Sequence, residues 1–154
     1  MERTLIIIKP DAVQRGLVGE ITRRFENRGL RVIAMKLERL SDAVLKEHYA
    51  HHATKPFFPE LVKFMRSTPS VLMILEGNES CRVVRQMLGP TNGRDALPGT
   101  IRGDYSLSTQ NNLVHASETA EIATTEVARF FKPHELHSFE LALTDWVYNL
   151  KEKQ

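Results

Sequence analysis

The residues best suited to chemistry lie between positions 98 and 118. Pro98-Gly99-Thr100-Ile101-Arg102-Gly103-Asp104-Tyr105 is a glycine-punctuated loop that carries an arginine. In Asn111-Asn112-Leu113-Val114-His115-Ala116-Ser117-Glu118 a short apolar pair then delivers one histidine to the edge of a helix start. A neutral imidazole is a good nucleophile near pH 7, so a histidine beside phosphate-binding groups can accept a phosphoryl group. A histidine placed like this can equally do no more than end a strand. The basic, polar neighbourhood is what gives the chemical reading its weight. Downstream, Glu126 falls near the apolar side of the repeat Ala123, Val127, Phe131, an unusual place for a carboxylate unless it has a partner.

The usual nucleotide loops are absent. There is no Gly-x-x-x-x-Gly-Lys-[Ser/Thr] and no Gly-x-Gly-x-x-Gly. If a nucleotide binds, side chains must replace the backbone cradle, and the candidates are Lys9, Arg85, Thr91 and Arg102, with Tyr49 nearby. Arginine suits the task because its planar fork makes charge-assisted, bidentate bonds to phosphate oxygens. The polar, basic loop 90–98, with Thr91 and Asn92, is longer than compact domains keep without a purpose. His48 and His52 stand at i, i+4, yet no third ligand follows at metal spacing and no His-Glu-x-x-His pattern is present, so no metal site is expected. Phe57 and Phe58 at a helix junction cannot easily both face inward; the residues alone slightly favour packing of both into the core, and the alternative is one ring exposed to stack on a ligand.

The elements that must position these groups are legible from periodicity. Residues 3–9 read as a strand whose core, Leu5-Ile6-Ile7-Ile8, is apolar throughout and suits a strand buried on both faces. Pro10 stops it in a turn, leaving Lys9 at the strand end. Val18, Ile21 and Phe25 mark one face of a helix that Gly29 ends. Residues 30–40 read as a second strand. Ser41 caps a helix through about His52, and residues 59–65 form another, with Leu61, Phe64 and Met65 as its apolar face. A strand over 71–75, a helix over 79–88 carrying Arg82 and Arg85 on one face, and a short strand before His115 complete the order. Ser117 is the expected cap of the last helix, to about Phe131, although Ala120 stands where a capping box has glutamate. Leu143, Trp146 and Val147 are expected to close the chain against its own core or a neighbouring subunit. The order is α/β in character and suits a ferredoxin-like βαββαβ α+β sandwich with an antiparallel sheet and helices on one face. Periodicity alone leaves a doubly wound parallel sheet open.

The 154 residues fit one domain, 1–154, with 42% hydrophobic and 26% charged residues. A net charge of +2 is too small to imply nucleic acid or a membrane. The single cysteine, Cys81, excludes an intramolecular disulfide. The apolar run 5–8 is too short for a signal peptide, and no run could span a bilayer, so a reducing cytoplasm is the expected compartment.

Together these stretches resemble the nucleoside diphosphate kinases over nearly the whole chain. Glu2-Arg3-Thr4-Leu5-Ile6-Ile7-Ile8-Lys9-Pro10-Asp11 is similar to that family's opening. Gln14-Arg15-Gly16-Leu17-Val18-Gly19-Glu20-Ile21, Lys55-Pro56-Phe57-Phe58, Leu88-Gly89-Pro90-Thr91-Asn92 and Asn-x-x-His-x-Ser at 112–117 are similar to its later blocks. The resemblance implies transfer of the γ-phosphate of a nucleoside triphosphate to a nucleoside diphosphate, with His115 as the phosphorylated nucleophile. It further implies that Glu126 and Ser117 orient the His115 ring, that Tyr49 sits by the transferring phosphate, and that Arg85, Thr91 and Arg102 hold the phosphates. Lys9 and Asn112 would meet ribose hydroxyls and Phe57 would stack on the base. Mg²⁺ on the nucleotide phosphates and a homohexamer, or alternatively a homotetramer, belong to the same expectation. Ala116, Glu118, Ala12, Lys55 and Gly93 depart from the commonest family pattern, in which glycine, aspartate, glycine, arginine and proline are frequent. Because alanine disfavours positive φ by roughly 1–2 kcal/mol, Ala116 is expected to be right-handed or extended. The rival from another class is a nucleotide- or nucleic-acid-binding module that needs Arg85 and Arg102 but not a His115–Glu126 pair.

Overall fold

In the computed structural model, which describes residues 1–149 and 151–152, four strands form one antiparallel sheet. They are β1 (Glu2–Ile8), β2 (Arg31–Glu38), β3 (Ser70–Gly77) and β4 (Val114–Ala116), in the spatial order β2-β3-β1-β4. β1 pairs with β3 on one side and β4 on the other, and β2 pairs with β3. This is the ferredoxin-like order, and it removes the parallel alternative.

Leu5, Ile6, Ile7 and Ile8 are all fully buried, because a central strand with apolar residues at every position is covered on both faces. Each such side chain contributes about 1.5–3 kcal/mol of burial. The expectation of helices on one face is therefore corrected. Ile6, Ile8, Met73 and Leu75 pack with Ile21 and Phe25 of helix α2 (Val18–Asn27) and Val84 and Leu88 of helix α5 (Ser80–Leu88). Leu5, Ile7, Leu72 and Ile74 pack on the opposite side with helices α3 (Asp42–His48) and α4 (Phe58–Arg66) and with Phe130 of helix α7 (Ala120–Phe130). The connection from β2 to β3 is the α3–α4 pair, not a hairpin, and this pair supplies the second layer.

Several boundaries differ from the sequence expectations. Ser41 caps α3, accepting from the Val44 N–H, but α3 stops at His48 and a 3-10 turn covers Ala50–His52. The turn at Pro10 is itself the start of a short helix, α1 (Pro10–Gln14), since proline at the first helical position loses no intrahelical bond. The loop at 98–105 contains helix α6 (Ile101–Tyr105), whose N-cap Thr100 accepts from the Gly103 N–H. Ser117 does not cap α7; Thr119 does, accepting from the Ile122 N–H. Helix α8 (Thr144–Val147) leaves Leu143 65% and Trp146 86% exposed, so the chain's own core does not take them. Among the described residues no helix is long and apolar enough to cross a membrane.

Candidate active site

The alternation of β4 decides where His115 points. Val114 and Ala116 belong to the layer under α2 and α5, whereas His115 pairs with Ile7, whose side chain faces α3, α4 and α7. On that side α7 buries a stripe of Ala123, Glu126 and Phe130, and the one carboxylate in the stripe meets the imidazole. His115 Nε2 lies 3.2 Å from Glu126 Oε2, and the Ser117 hydroxyl donates to the same oxygen at 2.7 Å. Ser117 continues the pairing of β4 with β1: its Oγ accepts from the Leu5 N–H at 3.1 Å and its N–H donates to the Leu5 carbonyl. Burial by itself would raise the Glu126 pKa. The hydrogen bonds and charge of His115, with Ser117, outweigh it and bring the carboxyl down to about 2.

Two aromatic neighbours complete this end. The Tyr49 ring centroid is 6.2 Å from that of His115, and the buried Tyr49 hydroxyl has no protein partner. Burial, followed by the nearby Glu126 charge, pushes the phenol pKa up. His48, which sequence spacing offered only as a partner for His52, instead packs its ring edge against His115 at 4.6 Å. His48, His115 and Glu126 bring their ligand atoms within 4.8 Å of one another, a grouping invisible to spacing along the chain. The Arg129 guanidinium, 3.3 Å from His48 Nδ1, opposes a cation there.

The second half of the site is a mesh around Asn112. Lys9 Nζ donates to Asn112 Oδ1 at 2.7 Å, and Asn112 Nδ2 donates to the Thr91 carbonyl at 2.8 Å. Arg102, on α6, donates Nε to the Asn112 carbonyl, NH1 to the Gly89 carbonyl and NH2 to the Val114 carbonyl, at 3.1, 2.8 and 2.6 Å. One guanidinium thus ties the end of α5 to the strand that carries His115, and two of its five N–H groups remain for a ligand. Burial first and Arg85 second lower the Arg102 pKa to about 10, so the two guanidiniums are neighbours. Burial, then Arg102, lowers Lys9 to about 8 against an opposing pull from Asp11. Arg85 and Thr91 are exposed.

Between the mesh and His115 the backbone is strained. Leu113, fully buried, has φ +73°, and the Val114 N–H donates to the Asn112 carbonyl two residues back at 2.8 Å. This is the rare form of γ-turn, which costs on the order of 1–3 kcal/mol. Three bonds hold it: the one across the turn, Leu113 N–H to Asp11 Oδ2 at 3.1 Å, and Lys9 N–H to the Leu113 carbonyl at 2.8 Å. Ala116 is extended within β4, as its side chain demands. Gly93 has no room for a Cβ against the Ser106 carbonyl, and its N–H donates to the Ser108 carbonyl, so the proline frequent there in the family would not fit this loop.

The base-stacking candidate lies at the far end of a row of rings. Tyr49 and His52 are stacked at 6.4 Å, and His52 meets Phe57 edge-on at 5.2 Å. Phe57 is 47% exposed, while Phe58 packs on the core.

The sequence model of the family described as nucleoside diphosphate kinase matches residues 2–136. A nucleoside diphosphate kinase of Methanosarcina barkeri is 51% identical over 139 residues, 90% of this chain and 93% of the relative. One of Thermus thermophilus is 54% identical over 136 residues, 88% of this chain and 99% of the relative. A solved structure of a halophilic nucleoside diphosphate kinase from Halobacterium salinarum in complex with CDP superposes with a TM-score of 0.93 at 44% identity, covering 96% of this chain and 98% of that one. The extent of these matches establishes that the chain belongs to the nucleoside diphosphate kinase family of phosphotransferase enzymes.

Proposed function

We propose that the protein moves the γ-phosphate of a nucleoside triphosphate to a nucleoside diphosphate through a phosphohistidine at His115, in ping-pong fashion and with broad base and sugar tolerance. The observation that carries this reading is the 3.2 Å contact between His115 Nε2 and Glu126. An ionised Glu126 accepts from Nε2–H, which fixes the tautomer and leaves the Nδ1 lone pair to attack phosphorus. The Nδ1–P bond forms as the bond to the β-phosphate oxygen breaks, and the nucleoside diphosphate leaves with that electron pair. A second diphosphate attacks the same phosphorus with its terminal oxygen and restores His115.

Such a transfer needs in-line positioning and neutralised oxygens more than covalent chemistry. Arg85, Thr91 and Arg102 hold the phosphates, and the unpartnered Tyr49 hydroxyl is free to donate beside the transferring group. Lys9 and Asn112, already joined, take the ribose hydroxyls, and Phe57 stacks on the base. None of these binding residues is a carboxylate, so the donor set fits Mg²⁺ held by nucleotide phosphates and water rather than by a protein cage. The ion's contribution is to neutralise phosphate charge. The CDP held by the Halobacterium relative supports a nucleoside diphosphate as ligand.

Residues 1–154 act as one domain of the cytoplasm, with no membrane or specific nucleic-acid partner. Exposed Trp146 and Leu143 support a closed homo-oligomer, which we take as a homohexamer, with a homotetramer as the alternative. A coupled assay with ATP and dTDP tests the activity. Parallel double-reciprocal lines are expected, and intersecting lines would exclude the covalent intermediate.

A further inference from the structure

His48 is buried with its side chain fully covered, is not one of the groups assigned above to nucleotide or phosphate, and sits between two opposite charges. Its Nδ1 is 3.3 Å from Arg129 NH1 and 3.7 Å from Glu126 Oε1. A guanidinium can only donate, so Nδ1 must be an acceptor and the ring proton sits on Nε2. Nδ1 therefore has nothing to donate to Glu126. The ring also resists becoming a cation: burial, then the neighbouring His115, hold its pKa near 3 despite the pull of Glu126. Arg129 is steadied on its other side, where Nε donates to Glu47 Oε1 at 2.8 Å.

An arginine that shares His48 Nδ1 with a buried carboxylate would ordinarily pair with it, because the charge-assisted pair is roughly twice as strong as a neutral hydrogen bond. Arg129 captured by Glu126 would draw off the charge that holds the His115 N–H. We propose that His48 is a positioning residue: by accepting from Arg129 it keeps that guanidinium off Glu126, and so reserves the carboxylate for His115. The proposal rests on reading His115 as the nucleophile. It gives a reason for a neutral imidazole at this place where an apolar ring would pack as well, since Phe130 and Tyr49 already flank it at 5.1 and 4.6 Å.

The test is a double-mutant cycle. His48→Phe keeps a planar ring but removes the acceptor. It is expected to lower kcat by ~tenfold while KM moves less than about twofold, because the loss falls on the transfer step. In an Arg129→Met background the same substitution is expected to cost at most about twofold, since the competing cation is gone. Equal losses in the two backgrounds, or an unchanged kcat in His48→Phe, would overturn the proposal. A packing role alone gives equal losses. Should His48→Phe fail to fold, ¹⁵N NMR of the unmodified protein decides: the expected signature at pH 7 is a neutral His48 protonated on Nε2, and a proton on Nδ1 defeats the idea. Acid-labile phosphate on His115 of the unmodified enzyme, measured alongside, reports separately on the nucleophile, so the two readings can fail independently.

Discussion

At one end of the site, His115 shares a carboxylate oxygen with a buried serine, on a strand edge locked to β1. At the other, Phe57 is half exposed at the start of α4, with the edge of the His52 ring beside it. The first end is buried, charged and cross-linked by hydrogen bonds. The second offers an aromatic face and no hydrogen-bonding group from Phe57. The difference matches the two tasks of the proposed reaction. Phosphoryl transfer loses rate with small misplacements of the reacting atoms, whereas a base that varies from substrate to substrate is best held by stacking, to which every base contributes a π-face.

Breaking the rigid end should cost most. Glu126→Gln keeps the shape but removes the charge that favours donation from His115 Nε2. We expect kcat to fall about 100-fold, less than the roughly 10⁴-fold lost when the carboxylate that orients a serine-protease imidazole is made an amide, with nucleotide KM little changed. A loss confined to KM would show that Glu126 serves binding instead. At the open end, Phe57→Ala should raise KM by about tenfold, the low side of the stacking range because the ring is half exposed, and by a similar factor for purines and pyrimidines. Kinetics with ATP, GTP, CTP and UTP check this, and loss with one base alone would contradict a sequence-blind stacking site.

The smallest effect sharpens the boundary between the two ends. Lys9 in the free enzyme has its pKa lowered to about 8, so above that pH it loses charge and a donor. kcat/KM, which reports the free enzyme, should decline severalfold between pH 8 and pH 10. In Lys9→Gln, already slower, that part of the decline should vanish, and its persistence would place the titration on another group.

What the amino-acid order disclosed follows from which forces are local. The run Leu5–Ile8 announced a central strand because burial on both faces needs no polar alternation, and Glu126 stood out because a charge in an apolar stripe requires a partner. The same stretch also contained the notice of helices on both faces, which the one-face expectation overlooked. His48 stayed hidden because its partners, His115, Glu126 and Arg129, come from β4 and α7 and meet it only through tertiary packing. The left-handed Leu113 could not be read from residue type, since leucine avoids positive φ and is held there by Asp11, Lys9 and the turn's own bond. Ser117 looked like a helix cap because serine is one of the favoured caps. Its hydroxyl is taken instead by Leu5 and Glu126, and Thr119 has the free geometry.

The claim on which all this depends is that Nδ1 of His115 carries the phosphate. Protein incubated with Mg·ATP alone, kept alkaline and analysed by intact and fragment mass spectrometry should gain one phosphate per chain, located on His115, stable in base and lost in acid. Addition of a nucleoside diphosphate should remove it. No phosphate on His115, or a phosphorylated His115 that does not discharge to diphosphate, would contradict the account.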